Sequence, residues 1–175
     1  MHLNIKKEIL SSSFKEQAEF VSQYIIENSE HFPTLMDLFF SSDTFTCQRS
    51  SWVMSHCIDK DITLITPYLG KMVKNLSNNV SDATKRNTVR MLEKVEIPQP
   101  LWEDCLNHCF HYLESHDEPI AVKVFSMTVL YNLSLKIPEI KNELIMIIED
   151  MMPYGSAGLK SRGKKILGKL RKKIS

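Results

Sequence analysis

Two cysteines and three histidines lie within twelve residues, and thiolate and imidazole groups are ligands that zinc prefers. They are Cys105, His108, Cys109, His111 and His116, arranged as C-x-x-H-C-x-H with one further histidine. Structural zinc usually takes its four ligands from two separate short knuckles, not from one helix. Cys109 also falls on an apolar helical stripe, and that stripe turns His111 away from both cysteines. We therefore predict buried core cysteines and no metal site.

Other residues that could support catalysis do not combine into a recognisable site. His56 and Cys57 are adjacent, so their side chains would point about 100° apart on a helix and could not act as a dyad. Gly155, Gly158 and Gly163 lack the spacing of a phosphate-binding loop, and we predict that they form the loop into the last helix. The sequence identifies no catalytic residue and no cofactor. It favours a function without catalysis but leaves the question open.

Charge is distributed unevenly along the chain. Residues 157–175 contain 8 bases and no acid, and taking these from the total of 22 bases leaves 14 bases against 21 acids elsewhere. Apolar residues in this segment follow helical spacing, namely Leu159, Ile166, Leu167, Leu170 and Ile174. The pattern predicts a basic capping helix that covers the end of the core. Its charge indicates an anionic partner, which could be nucleic acid, a membrane surface or an acidic protein.

An apolar pattern recurs along the chain and predicts the helices that must position these residues. Leu64 begins a set of apolar residues at offsets 0, 1, 5, 8, 9 and 12, which is one broad stripe of a helix. The offsets recur from Leu101 and, with the first position lost, from Glu139; a shorter copy begins at His31. The spacings of 33, 37 and 38 residues lie in the range of helical-hairpin repeats.

A series of bases marks the second helix of each predicted hairpin. The bases are Arg49, Arg86, Lys123 and Arg162, at spacings of 37, 37 and 39 residues. Polar residues at 41–43, 81–82 and 116–119 precede three of these helices as predicted caps, and prolines mark the first turns that follow. The predicted helices are 14–28, 31–41, 45–58, 61–77, 82–95, 99–115, 118–136, 138–152 and 157–173. The first dozen residues could add a short helix or an irregular lid.

The spacing of acid and base resembles that of HEAT repeats. An Asp precedes the base by six residues at Asp43–Arg49 and Asp117–Lys123, although Asp82 stands only four before Arg86. The resemblance implies an all-α fold, a right-handed αα-superhelix of about four and a half helical hairpins. It also implies that acids and bases of the series tie neighbouring hairpins together. We expect one domain over 1–175, with an N-terminal extension at 1–13 and the basic capping helix at 157–175.

The composition and the resemblance together favour a binding protein. The chain is 43% hydrophobic and 25% charged, and it has no apolar run of the roughly 20 residues that span a membrane. No targeting segment is predicted, and four unpaired cysteines suit the cytoplasm. The leading hypothesis is a non-catalytic scaffold that presents a curved surface to a protein partner. The alternative is a nucleic-acid-binding protein, because DNA alkylation-repair proteins resemble this architecture. Residues predicted to line the concave face or bind an anionic partner are Arg49, Trp52, Arg86, Arg90, Lys123, Tyr131, Arg162, Lys164, Lys165 and Lys169.

Overall fold

The computed structural model describes residues 3–11 and 14–172, and throughout these ranges the regular structure is helical. Lys173 and Ile174, which the sequence analysis placed in the last helix, lie outside the described residues. The α-helices are α1 (Ile5–Ile9), α2 (Phe14–Glu27), α3 (Phe32–Phe39), α4 (Thr44–Lys60), α5 (Leu69–Asn75), α6 (Asp82–Leu92), α7 (Trp102–Glu114), α8 (Ile120–Ser134), α9 (Lys141–Met151) and α10 (Ala157–Leu170).

Consecutive helices pair into five helical hairpins, and these stack so that the helices form two layers. The even layer consists of α2, α4, α6, α8 and α10, and each of these helices packs against the next even-numbered one. The odd layer consists of α1, α3, α5, α7 and α9, which pack mainly against the even layer. The all-α repeat architecture predicted from the sequence is confirmed. The short helix α1, which the sequence left open, pairs with α2 and completes the first hairpin.

The recurring apolar stripe is the core of the stack. In the copy that begins at Leu64, the residues Ile65, Leu69, Met72 and Val73 are at most 2% exposed. The corresponding positions in later helices are buried or packed against the same core, as Cys109 and Ile148 are. Fully burying one such side chain is worth about 1.5–3 kcal/mol. The stripe therefore recurs because each hairpin must cover the hydrophobic face of its neighbour.

Helix starts follow the cap chemistry of the sequence. Asp43 Oδ2 accepts a hydrogen bond from the Thr46 N–H at 2.8 Å, and Ser81 Oγ accepts one from the Thr84 N–H at 3.2 Å. Both bonds satisfy N–H groups that the first turn of a helix leaves without partners. Hydrogen bonds from the Thr46 hydroxyl and N–H also lower the pKa of Asp43. Four odd helices begin differently, with a preceding 3-10 segment: Ser29–His31, Ile62–Tyr68, Gln99–Leu101 and Pro138–Ile140.

The glycines near the last helix are placed differently from the prediction. Gly155 lies in the loop before α10, but Gly158 and Gly163 lie inside the helix. A Cβ atom on Gly163 would come within 2.6 Å of Met152 Sδ and 3.2 Å of an Ile148 methyl group. Gly163 therefore allows α9 and α10 to pack closely, which is a structural reason for a residue that disfavours helix.

Candidate functional site

Arg49, the first base of the series, is held by the neighbouring hairpin. Its Nη1 donates hydrogen bonds to the carbonyl oxygens of Ile9 at 2.9 Å and Ser11 at 2.6 Å. These carbonyls lie at the end of α1 and just beyond it, where a helix leaves its last C=O groups without internal partners. The guanidinium carbon also lies 4.1 Å from the centroid of the Phe45 ring. Arg49 thus ties the second hairpin to the first, through carbonyl groups and not through Asp43.

Arg162, the last base of the series, joins three hairpins. Its Nη1 lies 3.0 Å from Glu93 Oε2 at the end of α6 and donates a hydrogen bond to Thr128 Oγ1 on α8. Its guanidinium carbon lies 6.0 Å from the centre of the Phe125 ring, also on α8. Neither Arg162 nor Glu93 is more than 28% exposed. This contact sets α10 across α8 and against the end of α6.

Arg86 and Arg90 stand one turn apart on α6 and are engaged much less. Both are half-buried, and the spacing of 86, 90 and 93 places them on the stripe of α6 that carries Glu93. Arg86 Nε approaches Asn87 Oδ1 at 3.5 Å, the outer limit of a hydrogen bond. Within the described ranges, neither arginine forms an ion pair. Two guanidinium groups are therefore available on the solvent side of the even layer.

Aromatic rings and further bases continue this surface across α8 and α10. Lys169 Nζ lies 4.9 Å from the centre of the Tyr131 ring, and Lys165 is exposed between Arg162 and Lys169 on the same side of α10. We use the term basic face for the surface formed by Arg86, Arg90, Phe125, Tyr131, Arg162, Lys165 and Lys169. Two bases of α10 thus lie near aromatic rings of α8, and α8 packs against the helix that carries Arg86 and Arg90.

Trp52 continues the solvent side of the even layer on α4. The residue is 44% exposed, and its indole N–H donates to His56 Nε2 at 2.9 Å, one turn further along the helix. Phe45 on the same helix is half exposed. Because α4 packs against α6, the even layer presents exposed aromatic area beside the helix that carries Arg86 and Arg90.

Two of the predicted binding residues lie elsewhere. Lys123 lines a cavity at the ends of the last two hairpins, among residues of α7, α9 and α10. Lys164 is exposed on the side of α10 that carries Lys160 and Arg171, and Arg171 reaches Glu149 on α9. The bases of α10 are therefore divided between two sides of the helix.

The cysteines of the cysteine and histidine cluster are part of the core, whereas His111 and His116 are exposed. Cys105 and Cys109 are fully buried, and burial raises the pKa of Cys105 to about 12 and that of Cys109 further. His108 Nε2 lies 3.2 Å from Ser77 Oγ, a contact between hairpins, while His111 is exposed. Among the residues described, the His, Cys, Asp and Glu side chains form no group that could hold a metal ion.

We expect the native thiols to resist modification. Desolvation raises the pKa of Cys57 to about 12, as it does for Cys105, so the reactive thiolate is scarce at neutral pH. All four cysteines are buried. A disulfide exchange reagent at pH 8 should therefore react with none of them in the native protein and with all four in denaturant. Fast reaction of native protein would contradict this burial.

A comparison with protein families assigns the architecture. The family model described as a HEAT repeat domain matches residues 5–170, which is nearly the whole chain. The chain belongs to the HEAT repeat domain family. No curated protein and no solved structure matches it. Helical repeats of this kind are often used in protein–protein interaction. In this HEAT repeat chain, none of the described helices combines the length and apolar character needed to cross a membrane.

Glu93 and Phe125 organise the basic face, and sequence reasoning missed both. Glu93 follows Arg86 by seven residues, so helical spacing could have placed it on the same stripe. Its pairing with Arg162 spans 69 residues and depends on how α6, α8 and α10 pack. Phe125 lies in a continuous apolar run that shows little periodicity, and such a run does not distinguish a half-buried ring from a core residue.

Proposed function

We propose that this HEAT repeat domain is a non-catalytic binding module whose basic face docks an acidic segment of a partner protein. The observation that supports the proposal most is the pair of half-buried arginines, Arg86 and Arg90, for which the described residues supply no carboxylate. The other two arginines of the series, Arg49 and Arg162, already bind groups of the protein itself.

The energetics of guanidinium groups favour an external anion at this pair. A partly desolvated charge without a counter-charge is unfavourable, and a carboxylate relieves this through two parallel hydrogen bonds from one guanidinium group. Arg86 and Arg90 are one turn apart, so they can bind two carboxylates of one segment. Lys165 and Lys169 extend the positive surface and would accelerate association with an acidic partner.

The aromatic side chains supply the apolar area that a stable interface needs. Phe125 and Tyr131 are half-buried on α8 beside the bases of α10, and Trp52 is exposed on α4. Trp, Tyr and Arg are the residue types that most often dominate binding energy at protein interfaces. A partner segment with acidic side chains and some apolar surface would match both features of the face.

A nucleic-acid partner is the second candidate, because bases that border aromatic rings also suit phosphates and stacked bases. The charge balance favours the protein partner. Residues 1–156 contain 14 bases and 21 acids, whereas a nucleic-acid-binding surface usually belongs to a strongly basic domain. The bases of α10 are moreover divided between two sides of that helix, which leaves few aligned phosphate contacts.

Four buried thiols support a cytoplasmic location as part of the same proposal. The cysteines are all unpaired, which suits a compartment that keeps thiols reduced. An acidic partner would then be a protein of that compartment.

Fluorescence anisotropy with two labelled probes tests the proposal. The probes are a glutamate-rich peptide that contains tyrosine and a short DNA duplex, each titrated at low and at physiological ionic strength. We expect the peptide to bind, and the double variant R86Q/R90Q to weaken its affinity by about thirtyfold, since each of the two lost charge-assisted contacts is worth on the order of 1 kcal/mol.

The matched control is K6Q/K7Q, which removes the same charge from two exposed lysines of α1 in the odd layer. This variant should leave peptide affinity within about twofold, because distant surface charges are screened. Tighter binding of the duplex, with affinity that falls steeply with salt, would replace the protein partner by nucleic acid. Absence of binding by both probes at low ionic strength would contradict both candidates.

A further inference from the structure

A cavity separate from the basic face opens where the last two hairpins turn. It has a volume of about 530 Å³ and lies between the α7–α8 connection and the α9–α10 connection. Its apolar wall includes Leu113, Ile147, Met151 and Leu159, which are buried or half-buried, and the exposed Ile120. The volume is in the range of sites that bind small ligands or single side chains.

Two carboxylates line this cavity at helix C-termini, where a negative charge is electrostatically unfavourable. Glu114 is the last residue of α7 and Asp150 lies in the last turn of α9. The carbonyl end of a helix carries partial negative charge, so an acid in the last turn is repelled. Both residues are exposed, and neither forms an ion pair within 3–11 and 14–172. Neither the helix dipole nor an ion pair therefore stabilises these two acids at the positions that they occupy.

A third carboxylate in the cavity wall has an oxygen without a partner. The Glu118 side chain is only 9% exposed, and its Oε1 lies 2.5 Å from Lys85 Nζ. Its Oε2 is buried and accepts no hydrogen bond. The ammonium of Lys85 therefore balances Glu118, whose second oxygen is closed off from the cavity, and the accessible negative charge of the wall is that of Glu114 and Asp150.

The wall as a whole attracts cations and offers an aromatic surface at its edge. With Glu118 paired to Lys85, the remaining charged side chains of the wall are the carboxylates of Glu114 and Asp150 against the one ammonium of Lys123. Tyr154 borders the cavity and is 93% exposed, so its ring can cover a cationic group. The described acidic and histidine side chains do not converge as metal ligands do, which points to an organic cation.

We propose that this cavity receives a lysine or arginine side chain of a partner polypeptide. The aliphatic part of the side chain would lie along Ile147, Met151 and Leu159, which are apolar. The cationic head would approach the exposed carboxylates of Glu114 and Asp150. The site does not depend on the basic face, because it lies at the ends of the hairpins and has the opposite charge.

Amide NMR of the whole protein with blocked amino acids tests this site. The probes are the N-acetyl, N′-methylamide forms of lysine, arginine and norleucine, and the norleucine form provides the neutral isostere. We expect saturable shifts at the backbone amides of Gly155 and Ser156 with the two cationic probes, with dissociation constants on the order of 1–10 mM for so small a ligand. The norleucine probe should bind several-fold more weakly.

Variants at the two repelled acids complete the test. Asp150→Asn and Glu114→Gln should each weaken lysine binding by about threefold and should raise the thermal midpoint, because the helix ends lose a repulsion. Glu143→Gln, two turns before Asp150 on α9, is the matched control and should leave binding unchanged. Equal binding of norleucine, or no saturable shift with either cation, would overturn the proposal. Tighter binding of the free diamine cadaverine than of blocked lysine would overturn the assignment to a polypeptide.

Discussion

Replacing Arg162 with methionine is expected to lower the free energy of unfolding by about 2 kcal/mol. Methionine keeps most of the aliphatic volume, but it leaves Glu93, only 16% exposed, without its counter-charge. The hydrogen bond to Thr128 and the contact with the Phe125 ring are lost as well. Because Arg162 joins α10 to the end of α6 and to the middle of α8, the effect should appear in the main urea unfolding transition.

The origin of this loss can be separated with a second substitution. Glu93→Gln removes the stranded charge, so the double variant R162M/E93Q should be more stable than R162M alone. Lys165→Met, one turn away on α10 and exposed, is the control and should change stability by less than about 0.5 kcal/mol. Equal effects of R162M and Lys165→Met would mean that the pair of Arg162 and Glu93 does not hold the hairpins together.

The fold was readable from the sequence because it depends on a local pattern that repeats. A stripe such as Leu69, Met72 and Val73 is buried by the neighbouring hairpin, so its period and spacing report both helix and stacking. Helix starts were readable where a side chain caps them, as Asp43 does for α4. Helix α1 was left open because five residues show too little periodicity.

The site was only partly readable, since it depends on packing between distant segments. The four bases of the series look equivalent in sequence, yet Arg49 and Arg162 bind groups of other hairpins while Arg86 does not pair with an acid in the described ranges. Lys123 shares their spacing, but it faces the cavity at the hairpin ends. Which neighbour each base contacts depends on how far its helix is rotated about its own axis. The apolar periodicity of the sequence does not define that rotation to within one residue.

The cavity is a second example of a site that could not be predicted from the sequence. Glu114 and Asp150 are ordinary exposed acids in the sequence, 36 positions apart. They become notable only when the hairpins stack, because both then border one concavity at the carbonyl ends of their helices. A repeat protein builds such sites between hairpins, where no single segment contains the pattern.

Truncating Leu130 to alanine is expected to have the largest effect on stability, about 3–4 kcal/mol. Leu130 is fully buried on α8, the helix that packs against α6, α7 and α10. Removing its branched end deletes apolar contacts and leaves a cavity that neighbouring side chains can fill only in part. The hairpin formed by α7 and α8 is the fourth of five and has a neighbour on each side, so this loss weakens the interfaces on both sides.

Urea unfolding followed by circular dichroism measures this effect, with Leu135→Ala as the control on the same segment. Leu135 is the C-cap of α8 and is 58% exposed, so its truncation should change stability by less than about 0.5 kcal/mol. If the stack unfolds as one unit, Leu130→Ala should lower the urea concentration at the midpoint of unfolding. It should not change the slope of the free energy of unfolding against urea concentration. A second transition in this variant would show instead that the hairpins on either side of α8 unfold separately. If Leu130→Ala lowered the free energy of unfolding no more than Leu135→Ala does, the packing of α8 between its neighbours would be contradicted. The buried and the exposed leucine would then contribute equally to stability.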